Sequence, residues 1–449
     1  MALVDARMPA VPSLPLGPVQ YDKKFMDQFA NVLRLYFNQL NYVVDQLVAN
    51  QGPYEVGFYG GAIDAFGRAR FSEPYTLFDS QNRFAADDQF DTSTATGGST
   101  TYQANESTVD LNVTTSSGSE VVRQTYRSMP YQPGKSLQVM ATFVMNAGKE
   151  NLRQRVGYFN TENGVFFQQN GTTKSFVLRT YTSGTASDTR TVNQADWNGD
   201  KLDGTGDSGY TLDITKAQIF FADFEWLGVG SVRCGFVING RFVICHTFNN
   251  ANDINKVYMT TAILPVRYEI TNTGVTASSS TMKQICSTVV SEGGYQQQVK
   301  QQIARRTTAL ATIGTTLLPL VSIRLKSTRL GAIVLPQLMS VFPTSAGNYE
   351  IQLVKNTTLT GASWVTSGFN NVEYDITATA MSGGTTVQVE YSSATNQSGG
   401  SSTGDTGYNF DLQLGASLAG VSDIYTIGVR VLSGTGDAIG GLAFIDLTD

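Results

Sequence analysis

The stretch from Ala217 to His246, AQIFFADFEWLGVGSVRCGFVINGRFVICH, constrains the fold more than any other part of the chain. Asn239-Gly240 lies between two apolar runs rich in β-branched and aromatic residues. These two residues tolerate positive φ at both central turn positions, which predicts a tight type I′ hairpin. A two-residue loop sets Ile238 opposite Arg241, Phe236 opposite Val243 and Cys234 opposite Cys245. One face then carries Val232, Cys234, Phe236 and Ile238, matched by Val243 and Cys245. The preceding run, Ile219 to Leu227, is apolar on both faces apart from Asp223 and Glu225, and ends at Gly228 and Gly230. Three adjacent strands this apolar are stable only between two sheets or under another layer. They predict the middle of a β-sandwich.

The remaining composition fits that reading. The chain has 449 residues, enough for two or three domains. Hydrophobic residues make up 41%, ample for a core, and charged residues only 15%, against about 25% in ordinary soluble domains. Gly, Ser, Thr, Asn and Gln fill the gap, a composition of short strands and turns. The net charge is −6 and the sequence pI about 5.0. With no Lys/Arg cluster either, the chain lacks the electrostatic footprint of a nucleic-acid binder. The first eighteen residues, MALVDARMPAVPSLPLGP, hold early charges and several prolines but no continuous apolar core, which argues against a secretory signal. No run of about eighteen apolar residues predicts a membrane span. Three cysteines, Cys234, Cys245 and Cys286, suit free thiols in a reducing compartment. The pair Cys234/Cys245 falls at a ladder position where opposed Cα atoms stand about 5.5 Å apart. Distance alone permits a bridge there, but buried thiols packing as small hydrophobes are the preferred reading.

Taken in order, residues 1–20 are punctuated by Pro9, Pro12, Pro15 and Pro18 and are expected to be an extended arm. Residues 21–50 read as a helix from Tyr21 to Val48, with Asp22 as N-cap and Gly52-Pro53 beyond its end. Met26, Phe29, Leu33, Tyr36, Leu40, Val43 and Leu47 alternate spacings of three and four, a heptad seam. Phe25, Val32, Phe37 and Val44 widen it. Such a stripe serves a helix packed on its own domain, a short bundle of three identical subunits, or a docking peg for a larger assembly. Residues 54–295 read as a jelly-roll or lectin-like sandwich. Its expected strands are Glu55–Tyr59, Thr108–Thr114, Ser119–Tyr126, Ser136–Met145, Gln154–Phe159, Val165–Gln169, Phe176–Tyr181, the three central ones, Thr260–Asn272 and Thr281–Val290. Thr92–Asn105 reads as a loop. Residues 296–316, glutamine-rich and helix-permissive, read as a linker. Residues 317–449 read as a second β domain with strands Val321–Leu325, Glu350–Lys355, Val372–Ala380, Thr386–Ser392, Tyr408–Leu414 and Tyr425–Leu432. The fold class is therefore mainly β: an N-terminal helix, a jelly-roll/lectin-like β-sandwich and a C-terminal β-sandwich domain.

Residues able to carry chemistry are few. The single histidine, His246, has no neighbouring nucleophile or ligand in sequence and supplies neither a triad nor a zinc site. No phosphate loop, dinucleotide fingerprint or metal-spaced cysteine pair occurs. The strongest local constellation is DWNGDKLDGTGD. Asp196, Asn198, Asp200 and Asp207 fall on positions one, three, five and twelve of a calcium-loop count, and Asp203 adds an oxygen. Lys201 stands where that loop needs glycine, the last ligand is Asp instead of Glu, and no helices flank it. The alternative is a solvated acidic turn. Asp223 and Glu225, two apart on a strand, face one side, as a glycosidase pair would, but alternation produces such pairs often. Sequons such as Asn112-Val-Thr114 and Asn170-Gly-Thr172 carry weight only in a secreted chain.

Two segments resemble a known group. MPAVPSLPLGPVQYDKKFMDQFANVLRLYFNQLN resembles the start of structural proteins of marine, cyanophage-like short-tailed bacteriophages. Arg155 to Tyr295 resembles a β-domain recurring in marine viral structural proteins, through phrases such as VGYFNTENGVFFQQNG, QADWNGDKLDGTG and STMKQICSTVVSEGGY. The resemblance implies a virion component, fibre-like, assembled in the host cytoplasm, and carries over no catalytic residue. The expectations that follow are a homotrimer through the helix, attachment to other virion proteins through residues 1–50, and contact with a host surface glycan or receptor. The loop Asn396–Thr403, flanked by Tyr391 and Tyr408, is the expected contact. A head decoration or capsid fibre is the alternative, and a glycan-cleaving tailspike a third class.

Overall fold

The computed structural model describes residues 23–50, 73–296, 300–395, 402–405 and 410–448, with side chains described outside 42–50 and 402–405. The expected arm 1–20, the helix start at Tyr21 and Asp22, the stop at Gly52-Pro53 and the strand Glu55–Tyr59 lie outside the described residues. The chain divides into two units, Met1–Ser72 and Glu73–Asp449, taken here in turn.

The first unit contributes helix α1 (Lys23–Asn50), which covers the described part of the expected span and runs two residues past Val48. Phe29, Leu33, Tyr36 and Leu40 share one stripe and are half-buried, while Met26 is exposed. Among the described residues, none from Lys23 to Asn41 is fully buried. Phe25 stacks on Phe29 one turn later, ring centroids 6.2 Å apart. Val43 and Leu47 lie outside the described side chains.

The second unit begins with strands β1 (Tyr75–Gln81), β2 (Phe90–Ala95), β3 (Ser99–Gln103), β4 (Thr108–Val113), β5 (Glu120–Thr125), β6 (Leu137–Val144), β7 (Leu152–Phe159), β8 (Gly164–Asn170), β9 (Thr173–Thr180), β10 (Ser187–Asn193), β11 (Gln218–Phe224), β12 (Val232–Ile238), β13 (Arg241–Phe248), β14 (Val266–Asn272) and β15 (Ser280–Ser291). Among the described residues they form two sheets. One runs β13-β12-β11-β6-β15-β4-β3, with β1 also on β15, and the other β10-β9-β8-β7-β14-β5-β2. Each sheet mixes strands from distant parts of the chain, as a jelly roll does. The inner faces meet in one core. Phe143, Phe220 and Phe236 of the first sheet interlock with Phe167 and Phe176 of the second, with centroids 5.2 to 6.1 Å apart. All five are fully buried.

The Asn239-Gly240 turn forms as expected, with φ of 51° and 76° and Ile238 paired to Arg241. Two expectations for the hairpin need correction. Cys234 pairs with His246, not Cys245, because a bulge between Cys234 and Gly235 adds a residue to β13. The bulge turns both Cys245 and His246 out of solvent. The hairpin also lies at the edge of its sheet instead of its middle, with β11 linking it inward to β6. Gly235 is required there: a Cβ would stand 2.0 Å from the Val243 carbonyl oxygen and 2.8 Å from the Phe221 ring. The expected loop Thr92–Asn105 in fact holds most of β2 and all of β3, the edge strands of the two different sheets, since Thr-rich alternation satisfies an edge strand as well as a loop.

The C-terminal domain follows as β16 (Gln301–Ile313), β17 (Leu318–Leu325), β18 (Val334–Pro343), β19 (Gly347–Lys355), β20 (Thr358–Thr360), β21 (Val372–Asp375), β22 (Ala380–Ser382), β23 (Thr385–Ala394), β24 (Ser402–Asp405), β25 (Ile424–Val431) and β26 (Gly436–Asp446). Sheets β16-β26-β18-β24 and β21-β17-β25-β19-β23 enclose a second core around Leu320, Ile323, Tyr349, Ile351, Tyr425 and Phe444. The expected linker 296–316 is mostly strand: β16 pairs with β26 from Gln301–Ile445 to Ile313–Gly436. Its glutamines and arginines sit on an edge strand, where polar side chains are tolerated and protect against further pairing. Phe410–Leu412 is a short 3-10 turn where a strand, Tyr408–Leu414, was expected.

Trp197 ties the loop after β10 to this frame. Its ring stacks on Phe176 at 4.4 Å, its Nε1–H donates to the Val192 carbonyl, and it is 2% exposed. Trp197→Ala is expected to cost about 3–5 kcal/mol, as for other fully buried aromatics. A chemical-denaturation curve of the variant checks this.

Candidate functional site

Three places gather functional side chains: the acidic loop 196–207, the outer face of the second sheet, and the seam between the two β domains.

In the acidic loop the side-chain oxygens of Asn198, Asp200 and Asp203 are engaged by the chain itself. Asn198 clamps β13, its Oδ1 accepting from the Thr247 N–H at 2.8 Å and its Nδ2 donating to the Thr247 carbonyl at 2.9 Å. The Asn198 N–H donates to His246 Nδ1 at 3.3 Å. Burial, with Arg190 nearby, holds the imidazole below its usual pKa, so the neutral acceptor form is favoured. Asp200 accepts the N–H groups of Leu202 and Ser208 at 2.8 and 2.7 Å. Burial alone would raise its pKa, but these donors outweigh it and hold the carboxyl low. Asp203 accepts both the hydroxyl and the N–H of Thr205. Among the described residues no three His, Cys, Asp or Glu side chains converge to hold a metal ion. Of the expected calcium set Asp196, Asn198, Asp200, Asp203 and Asp207, the structure thus turns Asn198 onto the Thr247 backbone and Asp200 and Asp203 onto N–H and hydroxyl groups of the loop itself. Asp223 is likewise committed, to the Ser136 hydroxyl at 2.7 Å and to Arg233.

The outer face of the second sheet carries Arg153, Arg155, Arg179 and Arg267 around a cavity of about 280 Å³. Glu269 lies among them, 3% exposed, and Asp188 accepts both Nε and Nη2 of Arg179 at 2.8 Å. The guanidiniums roof Phe159 and Phe166: Arg155 and Arg179 each stand 5.2 Å from the Phe166 ring, and Arg267 5.5 Å from Phe159. Burial would raise the Glu269 pKa, but Arg267, Arg155 and Arg153 overcome it and hold it at about 2. Burial in turn pushes Arg155 down to about 10. The alternation of β7, β9 and β14 places all five of these side chains on one face, where their charges pair.

The domain seam is a different environment. Phe410, on the turn before Gln413, receives Arg127, whose Nη1 donates to the Phe410 carbonyl. Gln413 Nε2 donates to the Ser128 carbonyl at 2.9 Å, and the Ala416 N–H to the Tyr126 carbonyl at 2.9 Å. Ile333 and Leu335 enter the first core. Beside this seam is a groove of about 420 Å³ lined by Tyr131, Gln132, Lys135, Trp226, Thr260, Thr261, Tyr295 and Thr448, among others. Tyr131 and Trp226 meet edge to face at 6.0 Å and 88°, and both are half-exposed. Their orientation is fixed, since Trp226 Nε1 donates to the Met259 carbonyl at 3.2 Å and Tyr131 Oη accepts the Leu227 N–H at 3.1 Å. The Tyr131 O–H hydrogen has no acceptor among these bonds. Burial raises the Tyr295 pKa to about 12, keeping its hydroxyl a donor.

Sequence reasoning missed this groove. Its aromatics stand in MPYQPG, EWLGVG and GGYQQQ, outside strand alternation and beside turn residues, which is the signal that marks them. The expected contact loop fares differently: residues 396–401 and Tyr408 lie outside the described residues, Ser402 and Thr403 belong to β24, and Tyr391 is exposed on β23.

No family model and no curated protein matches the chain. Solved structures it is similar to include the Emp47p carbohydrate recognition domain, at 10% identity and TM-score 0.30, covering 52% of this chain and 98% of that one. Arcelin-5, a lectin-like defence protein from Phaseolus vulgaris, matches at 12% identity and TM-score 0.29 over 49% of this chain and 99% of its own. A β-1,3-glucanase from Mycobacterium marinum matches at 11% identity and TM-score 0.32, over 48% and 98%. Scores of this size carry no argument about function, and the two-sheet architecture stands on the strand pairing itself.

The arginine face has a pH signature. The Glu269 pKa falls from 4.5 to about 2 on folding, so its contribution is complete above the unfolded value and is lost as pH drops from 4.5 toward 2. Glu269→Gln removes the partner of two buried guanidiniums, Arg155 and Arg267, and of the partly exposed Arg153, and is expected to cost about 3 kcal/mol at neutral pH. Denaturation of the two proteins from pH 7 to 2 should show the gap closing through that window.

Proposed function

We propose that the chain is a virion structural protein, a trimeric tail fibre or spike that joins the particle through residues 1–50 and binds a host surface glycan with its β body. The observation that carries the glycan reading is the groove of Tyr131, Trp226 and Tyr295. Sugars present flat C–H faces beside rings of hydroxyls. A site for them needs fixed, half-exposed aromatic faces next to amide, hydroxyl and ammonium groups. Gln132, Lys135, Thr260 and Thr261 supply these around the rings. The groove volume lies within the ordinary range for small-ligand sites, about 300–1,000 Å³. Trp226→Ala is expected to lower affinity for the bound glycans on a printed array at least about tenfold, as loss of a buried aromatic anchor does. Undiminished binding by that variant would remove the groove from recognition.

The trimer reading rests on α1, whose apolar stripe is at most half-buried among the described residues from Lys23 to Asn41. A seam with heptad spacing is covered by copies of itself when helices associate in parallel. Light scattering of the double variant Leu33→Asp, Leu40→Asp is expected to report a monomer. A trimer of unchanged mass would assign oligomerisation to another part of the chain.

A further inference from the structure

The groove beside the seam does not end at Tyr295. The Tyr295 ring lies 5.9 Å from Tyr75 and 5.1 Å from Phe410. Tyr75 and Phe410 belong to the wall of a second cavity, of about 650 Å³, between the sandwich and the C-terminal domain. Tyr75 is 40% exposed, so the aromatic wall presents a face to solvent along this path. From these adjacencies we infer that the two cavities are one extended cleft and that its ligand is an uncharged oligosaccharide longer than a disaccharide, one end on Trp226 and the other past Tyr75. This deepens the glycan reading above and rests on it.

The chemistry of the second cavity sets the ligand class. Its cations are already committed: Arg127 donates to the Phe410 carbonyl and to Gln89 Oε1 and faces Asp411 at 3.3 Å, while Lys355 pairs with Asp423 at 3.1 Å. Asp79 and Asp88 line the same cavity as exposed carboxylates, with no side-chain hydrogen bond among the described residues, Asp79 lying in the field of Arg127. A carboxylate accepts two hydrogen bonds side by side, the spacing that neighbouring sugar hydroxyls offer. The same two charges repel uronate and sulfate groups. The cavity therefore selects hydroxyl donors over anions. Both domains contribute to it, since Phe410, Asp411 and Lys355 come from the C-terminal one.

The test uses the full chain on an array of neutral oligosaccharides and oligouronates, each printed as disaccharide and hexasaccharide. Neutral hexasaccharides are expected to bind more tightly than their disaccharides, and oligouronates more weakly than either. In the double variant Asp79→Asn, Asp88→Asn, the hexasaccharide-to-disaccharide affinity ratio is expected to fall about tenfold, the loss of charge-assisted hydrogen bonds, with the melting curve checked in parallel. A ratio unchanged in that variant, or disaccharides bound as tightly as hexasaccharides, overturns the extended cleft while binding that still depends on Trp226 leaves the groove reading in place. An array on which nothing binds overturns both.

Discussion

Everything in the β body depends on how the aromatic rings of two sheets interlock. Phe167 and Phe176 of one sheet fill the spaces between Phe143, Phe220 and Phe236 of the other, and Trp197 closes one end of the stack. Sheets packed face to face stand about 10 Å apart, which leaves room for one interdigitated layer and no more. Once these rings share that layer, register is fixed in every strand that carries one, because a one-residue slip would send the ring to solvent. The loops follow from it. The acidic turn is anchored by Trp197, and the seam by Phe410, which is counted with the same core.

The second constraint is how little charge the chain carries and where it places it. Four arginines sit together over Phe159, Phe166 and Val177, a small apolar cluster on the outer face of the second sheet. An outer sheet face normally meets water with polar residues. Here the planar guanidiniums lie over the rings and pair with Glu269 and Asp188, so the face is closed without a third layer. That arrangement is a network of paired charges. Its guanidiniums are engaged by carboxylates, whereas Asp79 and Asp88 at the seam are exposed and form no ion pair within contact distance among the described residues, Asp79 feeling Arg127 only through its field.

Legibility from sequence followed the range of the signals. The Asn239-Gly240 turn and the alternation of Leu137–Val144 are local, and both strands and turn formed where the residues placed them. The bulge at Cys245 was invisible because nothing in a period of two marks an extra residue. Polar edge strands were misread in both directions: β2 and β3 as a loop, β16 as a helix-permissive linker. Their side chains are set by protection of an edge, a tertiary condition that the local pattern does not encode. The orientation of the oxygens in the Asp196–Asp207 count was hidden for a related reason. Spacing gives the order of the oxygens, but the N–H groups of Leu202, Ser208 and Thr205 turn them inward.

The seam aromatics were illegible because each belongs to a different segment. Tyr75 precedes the sandwich core, Tyr131 and Trp226 lie on separate loops within it, Tyr295 follows its last strand, and Phe410 comes from the other domain. What joins them is the conversion of 301–313 from expected linker into β16. With β15 ending at Ser291 and β16 starting at Gln301, Tyr295 is held between two paired strands, one in each domain. A flexible linker would let the domains drift and the rings part. Anchored at both ends, the same tyrosine keeps Tyr75 and Phe410 within ring contact and makes the wall of the cleft a fixed surface, the condition for stacking a ligand without ordering the site at the moment of binding.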